Sequence, residues 1–214
     1  MNNKIIKIFG LHHSGTNALN LLLRLNFEEI VCIKEFGWKH QQIININYFK
    51  NIEKEIGAEI LLVFCVRDPY DWAYKFINNS YEYQTKDIEK PIFIKTGNQA
   101  YYHSVVDLYN KTLLNYIDFI EANKEKSIFI RYEDIVNNQK SVLKKIQEKF
   151  NLTKNTANTD LVLLNKKVSN EMQITGEKVE RLKDYKPHLS QKNIEFIEKN
   201  TIKEQLKYFG YFIE

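Results

Sequence analysis

The stretch KIIKIFGLHHSGTNALNLLLRL, residues 4–25, decides the fold. It begins with a short, β-branched apolar run, Lys4–Phe9, which predicts a strand. Leucines at helical spacing between Thr16 and Leu25 predict a helix. The loop Gly10–Asn17 joins them, and its two glycines allow the backbone to turn successive N–H groups inward. Such a loop, ending at the partial positive charge of a helix N-terminus, is typical of a site for phosphate or sulfate.

The rest of the chain alternates between strand and helix patterns. The strongest strand pattern, residues 59–66, is apolar almost throughout, which is typical of a strand buried on both faces of a parallel sheet. Further strands are predicted at 30–33 and 127–131, and helices at 48–56, 69–78, 99–123, 135–150, 190–200 and 202–209. Residues 79–98 predict a long loop over the site. The alternation predicts a single three-layer α/β domain over residues 1–214, with a mostly parallel central sheet flanked by helices.

Length and composition narrow the class of protein. The chain has 214 residues, of which 43% are hydrophobic and 27% charged, as in a globular domain. Its net charge of +4 suits an anionic ligand but is too small for the dense basic surface that nucleic acid usually requires. Without a secretion signal or an apolar run of membrane length, the sequence predicts a cytoplasmic protein. The sequence has no cluster of Cys and His residues that would predict a metal site, and it does not predict the oligomeric state.

The loop after the first strand differs from the loop that binds ATP in P-loop NTPases. That motif, GxxxxGK[ST], has Lys and a hydroxyl where this chain has Thr16 and Asn17. The Lys that reaches the terminal phosphates is therefore absent, and an amide, a poorer ligand for Mg²⁺, replaces the hydroxyl. The loop can bind an anion but lacks the parts for metal-assisted ATP chemistry. A P-loop-type nucleotide or small-molecule kinase stays open as an alternative, as does a non-catalytic anion-binding protein.

The segment HSGTN, residues 13–17, resembles the [K/R]-x-G-T-[T/S] loop of the PAPS-dependent sulfotransferases. In that family the loop wraps the 5′-phosphosulfate of 3′-phosphoadenylyl sulfate (PAPS). The donor-binding residues that the resemblance implies here are Gly10, His12, His13, Ser14, Gly15, Thr16 and Asn17. His13 replaces the usual Lys or Arg, and it can stabilise the bridging oxygen only when protonated. His12 or Lys39 could share that role.

A second segment, VRDPYDWAYK at residues 66–75, resembles the 3′-phosphate motif of the same family, an Arg after a strand with a Ser one or two helical turns later. Arg67 matches the Arg, and a guanidinium can grip a phosphate with two parallel hydrogen bonds. Lys75 stands at the Ser position and still offers a donor to phosphate. RLKDY, residues 181–185, resembles the basic segment that closes over the nucleotide. Its implied nucleotide-binding residues are Arg181, Lys183 and Tyr185.

Sulfuryl transfer to a hydroxyl requires a base for the acceptor proton and cations that offset charge on the transferring group. Two candidate bases lie in KEFGWKH, residues 34–40. Lys39-His40 is similar to the Lys-x-His segment that carries the catalytic His of cytosolic sulfotransferases. Lys34-Glu35 is similar to the Lys-Glu pair of heparan-type sulfotransferases, in which Glu is the base. His40 is slightly favoured, because Glu35 needs a larger change of its pKa to act near pH 7.

The resemblance covers most of the chain. A softer match, FIRYEDI at residues 129–135, implies structural roles for Arg131 and Glu133. Together these segments imply a sulfotransferase that uses PAPS across the carboxyl ends of the parallel strands and needs no metal. The implied acceptor offers a hydroxyl or amine and is, by analogy alone, a carbohydrate. The implied product nucleotide is adenosine 3′,5′-bisphosphate (PAP).

Overall fold

Six strands and eight α-helices lie within the described part of a computed structural model. The described residues are 4–28, 30–33, 37, 39–40, 46–79, 85–94, 100–158, 160–164 and 185–213. The strands are β1 (Lys4–Gly10), β2 (Ile30–Ile33), β3 (Ile60–Val66), β4 (Ile92–Ile94), β5 (Ala100–Tyr102) and β6 (Ser127–Arg131). The helices are α1 (Thr16–Asn26), α2 (Ile46–Ile56), α3 (Pro69–Asn79), α4 (Val105–Ala122), α5 (Tyr132–Asn137), α6 (Gln139–Phe150), α7 (Gln191–Asn200) and α8 (Lys203–Tyr208).

Four of the strands form a parallel sheet in the order β2-β1-β3-β6. The chain passes from β1 to β2 on one side and then to β3 on the other side of β1. The order of the strands therefore reverses between β1 and β3, where Gly10 pairs with Cys65 at the carboxyl ends. Open α/β sheets bind their ligands in the crevice at such a switch point. The loop after β1 and the segment after β3 both begin there.

Both faces of the sheet are covered, because side chains alternate between two apolar clusters. Phe9 and Phe64 belong to the cluster that α2, α3, α4, α7 and α8 cover. Ile8 and Val63 belong to the other cluster, which is covered by α1, α5 and α6. Every residue of β3 is buried, as its apolar run predicts. These layers confirm the predicted three-layer α/β architecture with a parallel central sheet.

The region between α3 and α4 departs from the prediction of one long loop followed by a helix from residue 99. Here β4 pairs antiparallel with β5, and α4 begins only at Val105. Ser104 caps α4, since its Oγ accepts a hydrogen bond from the backbone N–H of Asp107. The strands have three residues each, so their alternation is too short for a sequence pattern to reveal.

The helix predicted at 135–150 is two helices. The side chain of Asn138 accepts a hydrogen bond from the backbone N–H of Ser141 and so caps α6, which separates it from α5. Asn at such a position favours a new N-terminus over a continuous helix. Within the described ranges, none of the helices combines the length and the apolar character needed to cross a bilayer.

Candidate functional site

The loop after β1, residues Gly10–Asn17, is called the phosphate loop below. His13 and Gly15 both have left-handed backbones, with φ of 59° and 84°. Left-handed residues in a tight turn are typical of the nests in which main-chain N–H groups converge on an anion. Ser14 is fully buried, and its hydroxyl donates to the carbonyl of Leu11, as does its backbone N–H. The Ser14 side chain therefore closes the loop from within and uses its proton there.

Gly10 and Gly15 have no room for a side chain, and the backbone conformation at Gly15 also favours glycine. A Cβ added at Gly10 would lie 2.6 Å from Ser14 Oγ and 2.8 Å from Cys65 Cβ, although the φ of Gly10 is an ordinary one. A Cβ at Gly15 would lie 3.0 Å from the Tyr132 ring, at a φ that already favours glycine. The phosphate loop is thus fitted closely between β3 and the start of α5.

Arg67 follows β3 directly and contacts the phosphate loop. Its Nη1 donates to the carbonyl oxygen of His13 over 2.7 Å, and its guanidinium lies 4.0 Å from the centroid of the Tyr132 ring. Nη2 lies 3.8 Å from a carboxylate oxygen of Asp71. The residue is only 3% exposed, so the guanidinium lies behind the loop and not on an open surface. Its Nε is buried and has no hydrogen-bond partner among the described residues.

Lys75 and Arg67 share one aromatic neighbour, Tyr185. The ammonium of Lys75 lies 4.6 Å from the centroid of the Tyr185 ring, and the guanidinium of Arg67 lies 5.7 Å from it. Tyr185 also stacks on Tyr74 at 4.8 Å, and its backbone N–H donates to Asp71 Oδ1. The structure therefore brings together three residues that the sequence predicts at the nucleotide. The other two predicted there, Arg181 and Lys183, lie outside the described residues.

The segment after β2 meets the phosphate loop through Lys39 and His40. The carbonyl of Lys39 accepts a hydrogen bond of 2.9 Å from the backbone N–H of Gly10. His40 Nδ1 lies 2.8 Å from the carbonyl oxygen of Gly10. The ammonium of Lys39 donates to Asn17 Oδ1, at the first turn of α1. A cation and a candidate base therefore lie beside the loop, whereas Glu35, the alternative base, falls outside the described residues.

Burial makes both His12 and His40 neutral near pH 7. Their rings stack at 4.2 Å, and Phe76 meets His12 edge to face, with 6.2 Å between the ring centroids. Burial, followed by the charges of nearby His and Lys39, lowers the pKa of His12 to about 2. Burial chiefly lowers the pKa of His40 to about 4, although hydrogen bonds to the backbone of Gly10 and of Leu11 raise it in part. His12 is therefore not a cation that can replace the usual Lys or Arg, and the pKa of His40 departs from the ordinary value that the sequence suggested.

The tautomer of His40 follows from its partner. A carbonyl oxygen can only accept, so neutral His40 carries its proton on Nδ1, facing Gly10. Nε2 is then the nitrogen with a lone pair, which is the atom that can take a proton.

Three acidic residues, Asp68, Asp71 and Glu133, lie near Arg67. Asp68 caps α3, because its Oδ1 accepts from the backbone N–H groups of Tyr70 and Asp71. Burial, with Asp71 and Glu133 nearby, raises the pKa of Asp68 to about 6. Glu133 accepts hydrogen bonds from the backbone N–H of Asp68 and from the hydroxyl of Tyr211. Its contacts are consistent with the structural role that the sequence predicts.

Sequence reasoning missed two residues at the site. Tyr132 lies within the RYEDI segment and packs on both Arg67 and the phosphate loop. Lys7 is buried in β1, and a charge within an otherwise apolar strand is the signal that could have identified it.

No protein-family model and no curated protein sequence matches the chain. Among solved structures, the chain is similar to mouse sulfotransferase SULT7A1, crystallised in complex with PAP. The alignment has 14% identity and a TM-score of 0.39, and it covers 73% of this chain and 60% of that one, less than two thirds of the mouse chain. With a TM-score below 0.5 this similarity carries no argument about fold or function.

Proposed function

We propose that this protein is a sulfotransferase that moves a sulfuryl group from PAPS to a hydroxyl or amine of an acceptor. One observation carries the proposal: the two segments that we assign to anion binding, the phosphate loop and the segment after β3, meet at the switch point of the sheet, where Arg67 Nη1 donates to the carbonyl of His13. PAPS carries a 5′-phosphosulfate and a 3′-phosphate on one nucleoside, so a protein that binds it needs two such elements within one cleft.

The chemistry of the donors suits this ligand. The left-handed turn at His13 and Gly15 offers main-chain N–H groups, which suit a 5′-phosphosulfate. We assign the guanidinium of Arg67 and the ammonium of Lys75, the two cations beside Tyr185, to the 3′-phosphate. Tyr185, which contacts both cations, supplies an aromatic surface next to them.

His13 stands where the sulfotransferase loop has a Lys or Arg, and Lys39 supplies the missing cation. Its ammonium is held by Asn17 at the start of α1, beside the phosphate loop, whereas the buried ring of His12 is neutral. A lysine at this position can offset the negative charge that develops on the bridging oxygen as PAP leaves. The cation thus comes from the segment after β2 and not from the phosphate loop itself.

The proposed reaction is a direct sulfuryl transfer. The bond between sulfur and the bridging phosphate oxygen breaks, and a bond between sulfur and the acceptor oxygen forms. The acceptor proton moves to Nε2 of His40, whose Nδ1–H is oriented by the carbonyl of Gly10. Glu35 is the alternative base, as the sequence predicts. A carbohydrate is the acceptor class that we propose, by analogy with the family.

The first test is a calorimetric titration with PAP in the absence of Mg²⁺. We expect binding, and we expect Lys75→Met to weaken it roughly tenfold, the effect of losing one charge-assisted hydrogen bond. Lys54→Met is the matched control, because Lys54 is exposed in the last turn of α2, ahead of β3 and at the opposite end of the sheet. Binding of ATP that depends on Mg²⁺, without binding of PAP, would overturn the proposal in favour of a kinase.

The second test is transfer of radiolabelled sulfate from PAPS to a panel of glycans. We expect His40→Ala to remove most of the transfer while PAP still binds, and Glu35→Ala to do so if Glu35 is the base instead. Binding of PAP without transfer to any acceptor would contradict the catalytic part of the proposal and favour a non-catalytic anion-binding protein.

A further inference from the structure

Lys7 lies in the middle of β1, between β2 and β3, and is only 1% exposed. Lysine is rarely buried to this extent unless its charge is paired or hydrogen-bonded. Its ammonium donates to the carbonyl oxygen of Gly37 over 2.7 Å and lies 5.2 Å from the centroid of the Phe9 ring. An apolar side chain of the same length would avoid the cost of desolvating an ammonium. The benefit of a lysine must therefore lie in the groups that its N–H bonds hold.

The carbonyl that Lys7 holds belongs to the segment that carries Lys39 and His40. Gly37 has a left-handed backbone, with φ of 93°, two residues before Lys39. Lys39 and His40 then contact the phosphate loop through the N–H and the carbonyl of Gly10. Lys7 and Gly10 lie on the same strand, so this segment is held against β1 at two positions, at Gly37 and at Lys39 with His40.

We infer that Lys7 is a positioning residue: its hydrogen bond to Gly37 sets the placement of Lys39 and His40 against the phosphate loop. The inference rests on the proposed function for what Lys39 and His40 do, but the positioning itself is a property of the fold. Lys7 acts through Lys39 and His40 and does not itself contact the substrate.

Hydrogen exchange followed by NMR measures this positioning directly, because the N–H of Gly10 donates to the carbonyl of Lys39. We expect Lys7→Met to accelerate exchange of the Gly10 amide roughly tenfold, the size expected for loss of a hydrogen bond made by a charged donor. Amides within β3 should change by less than about twofold, because their hydrogen bonds do not depend on the segment at Gly37.

Lys4→Met is the matched control. Lys4 lies on the same strand, and its ammonium likewise donates to a backbone carbonyl, that of Phe150, over 2.8 Å. That contact is at the other end of β1, so the Gly10 amide should exchange as in the unaltered protein. If Lys7→Met does not fold, Lys7→Gln is measured against the same criterion, because its amide nitrogen ends one bond short of the lysine nitrogen and should not keep the hydrogen bond to Gly37.

Two exchange results would overturn the inference: an unchanged rate of exchange at the Gly10 amide, or equal acceleration of Gly10 and the β3 amides, which would mean that Lys7 only stabilises the fold. A readout of function completes the test. Lys7→Met should lower the rate constant of sulfuryl transfer roughly tenfold, because small displacements of catalytic groups have large effects on rate. Faster exchange of the Gly10 amide alone, with an unaltered rate constant of sulfuryl transfer, would also contradict the positioning role of Lys7. If the unaltered protein binds no PAP, the proposed function fails, and the exchange experiment still decides the role of Lys7.

Discussion

Replacing Gly10 by Ala tests how tightly the phosphate loop is fitted to the sheet. The added Cβ would lie 2.6 Å from Ser14 Oγ, 2.6 Å from Thr16 Cγ2 and 2.8 Å from Cys65 Cβ. Ordinary contacts between such atoms are near ~3.5–4.0 Å, so each neighbour would have to move. The backbone at Gly10 is in an ordinary conformation, so the effect of the substitution comes from space alone.

None of the three neighbours can withdraw easily. Ser14 Oγ is held by its hydrogen bond to Leu11, and the Cβ of Cys65 is fixed to the backbone of the fully buried β3. Thr16 is buried in the first turn of α1. Overpacking a core usually costs about 1–3 kcal/mol, and three simultaneous contacts point to the upper end, about 3 kcal/mol of the free energy of unfolding. In a domain of this size that lowers the melting temperature by about 6–12 °C.

Gly57→Ala is the matched control. Gly57 has a left-handed φ of 63°, and a Cβ there would have no atom within 4 Å. The conformational strain costs about 1 kcal/mol, equivalent to about 2–4 °C. We expect thermal unfolding followed by circular dichroism to separate the two variants, and calorimetry to show a loss of PAP affinity for Gly10→Ala alone. Equal melting temperatures and equal PAP affinities for the two variants would refute the close fit of the loop.

Three further predictions concern charge. Lys39→Met should weaken PAP binding about tenfold, with Lys54→Met unchanged; equal affinities would remove Lys39 from the site. The His40 ring should titrate near pH 4 by NMR. Because its pKa lies below the ordinary 6.5, His40 contributes a fall in stability as pH drops from about 6.5 to about 4, and His40→Gln should make the fall smaller while the part due to His12 stays; titration near 6.5 would contradict the buried ring. Asp68→Asn keeps the oxygen that caps α3. The pKa of Asp68 is raised from 3.8 to about 6 in the folded protein, so ionising this carboxyl between pH 4 and 6 destabilises the unaltered protein but not the variant. In urea unfolding, the free energy of unfolding of Asp68→Asn should therefore exceed that of the unaltered protein by an amount that grows from pH 4 to 6, to on the order of 2–3 kcal/mol. A difference that does not change with pH would contradict the raised pKa.

The sheet and its neighbouring helices were predictable because their signals are local. The apolar run of β3 and the Asp68-Pro69 start of α3 each lie within a few residues, and the structure has both where the sequence predicts them. The β4 and β5 strands were not predictable. A three-residue strand carries almost no periodicity, and its existence depends on a partner elsewhere in the chain.

The site was predictable in its location but not in its detail. Parallel strands end at one edge of a sheet, so residues that follow β1 and β3 must lie close together, as His13 and Arg67 do. The burial of Arg67 was not predictable, because Tyr132 and Tyr185, which pack against it, lie far away in the sequence. The low pKa of His40 likewise depends on burial, a property of the assembled fold.

The replacement of the usual Lys or Arg by His13 has a consequence for how charge is arranged. The proposed cation and the proposed base are consecutive residues, Lys39 and His40, on a segment that is held to β1 by Lys7 and by Gly10. The ammonium of Lys39 is one reason why the pKa of His40 is low, after burial. The two groups therefore cannot be altered independently: any change that moves the cation away from the phosphate loop also makes the base easier to protonate. If the phosphate loop carried its own lysine, the position of the cation and the pKa of the base would not depend on the same segment.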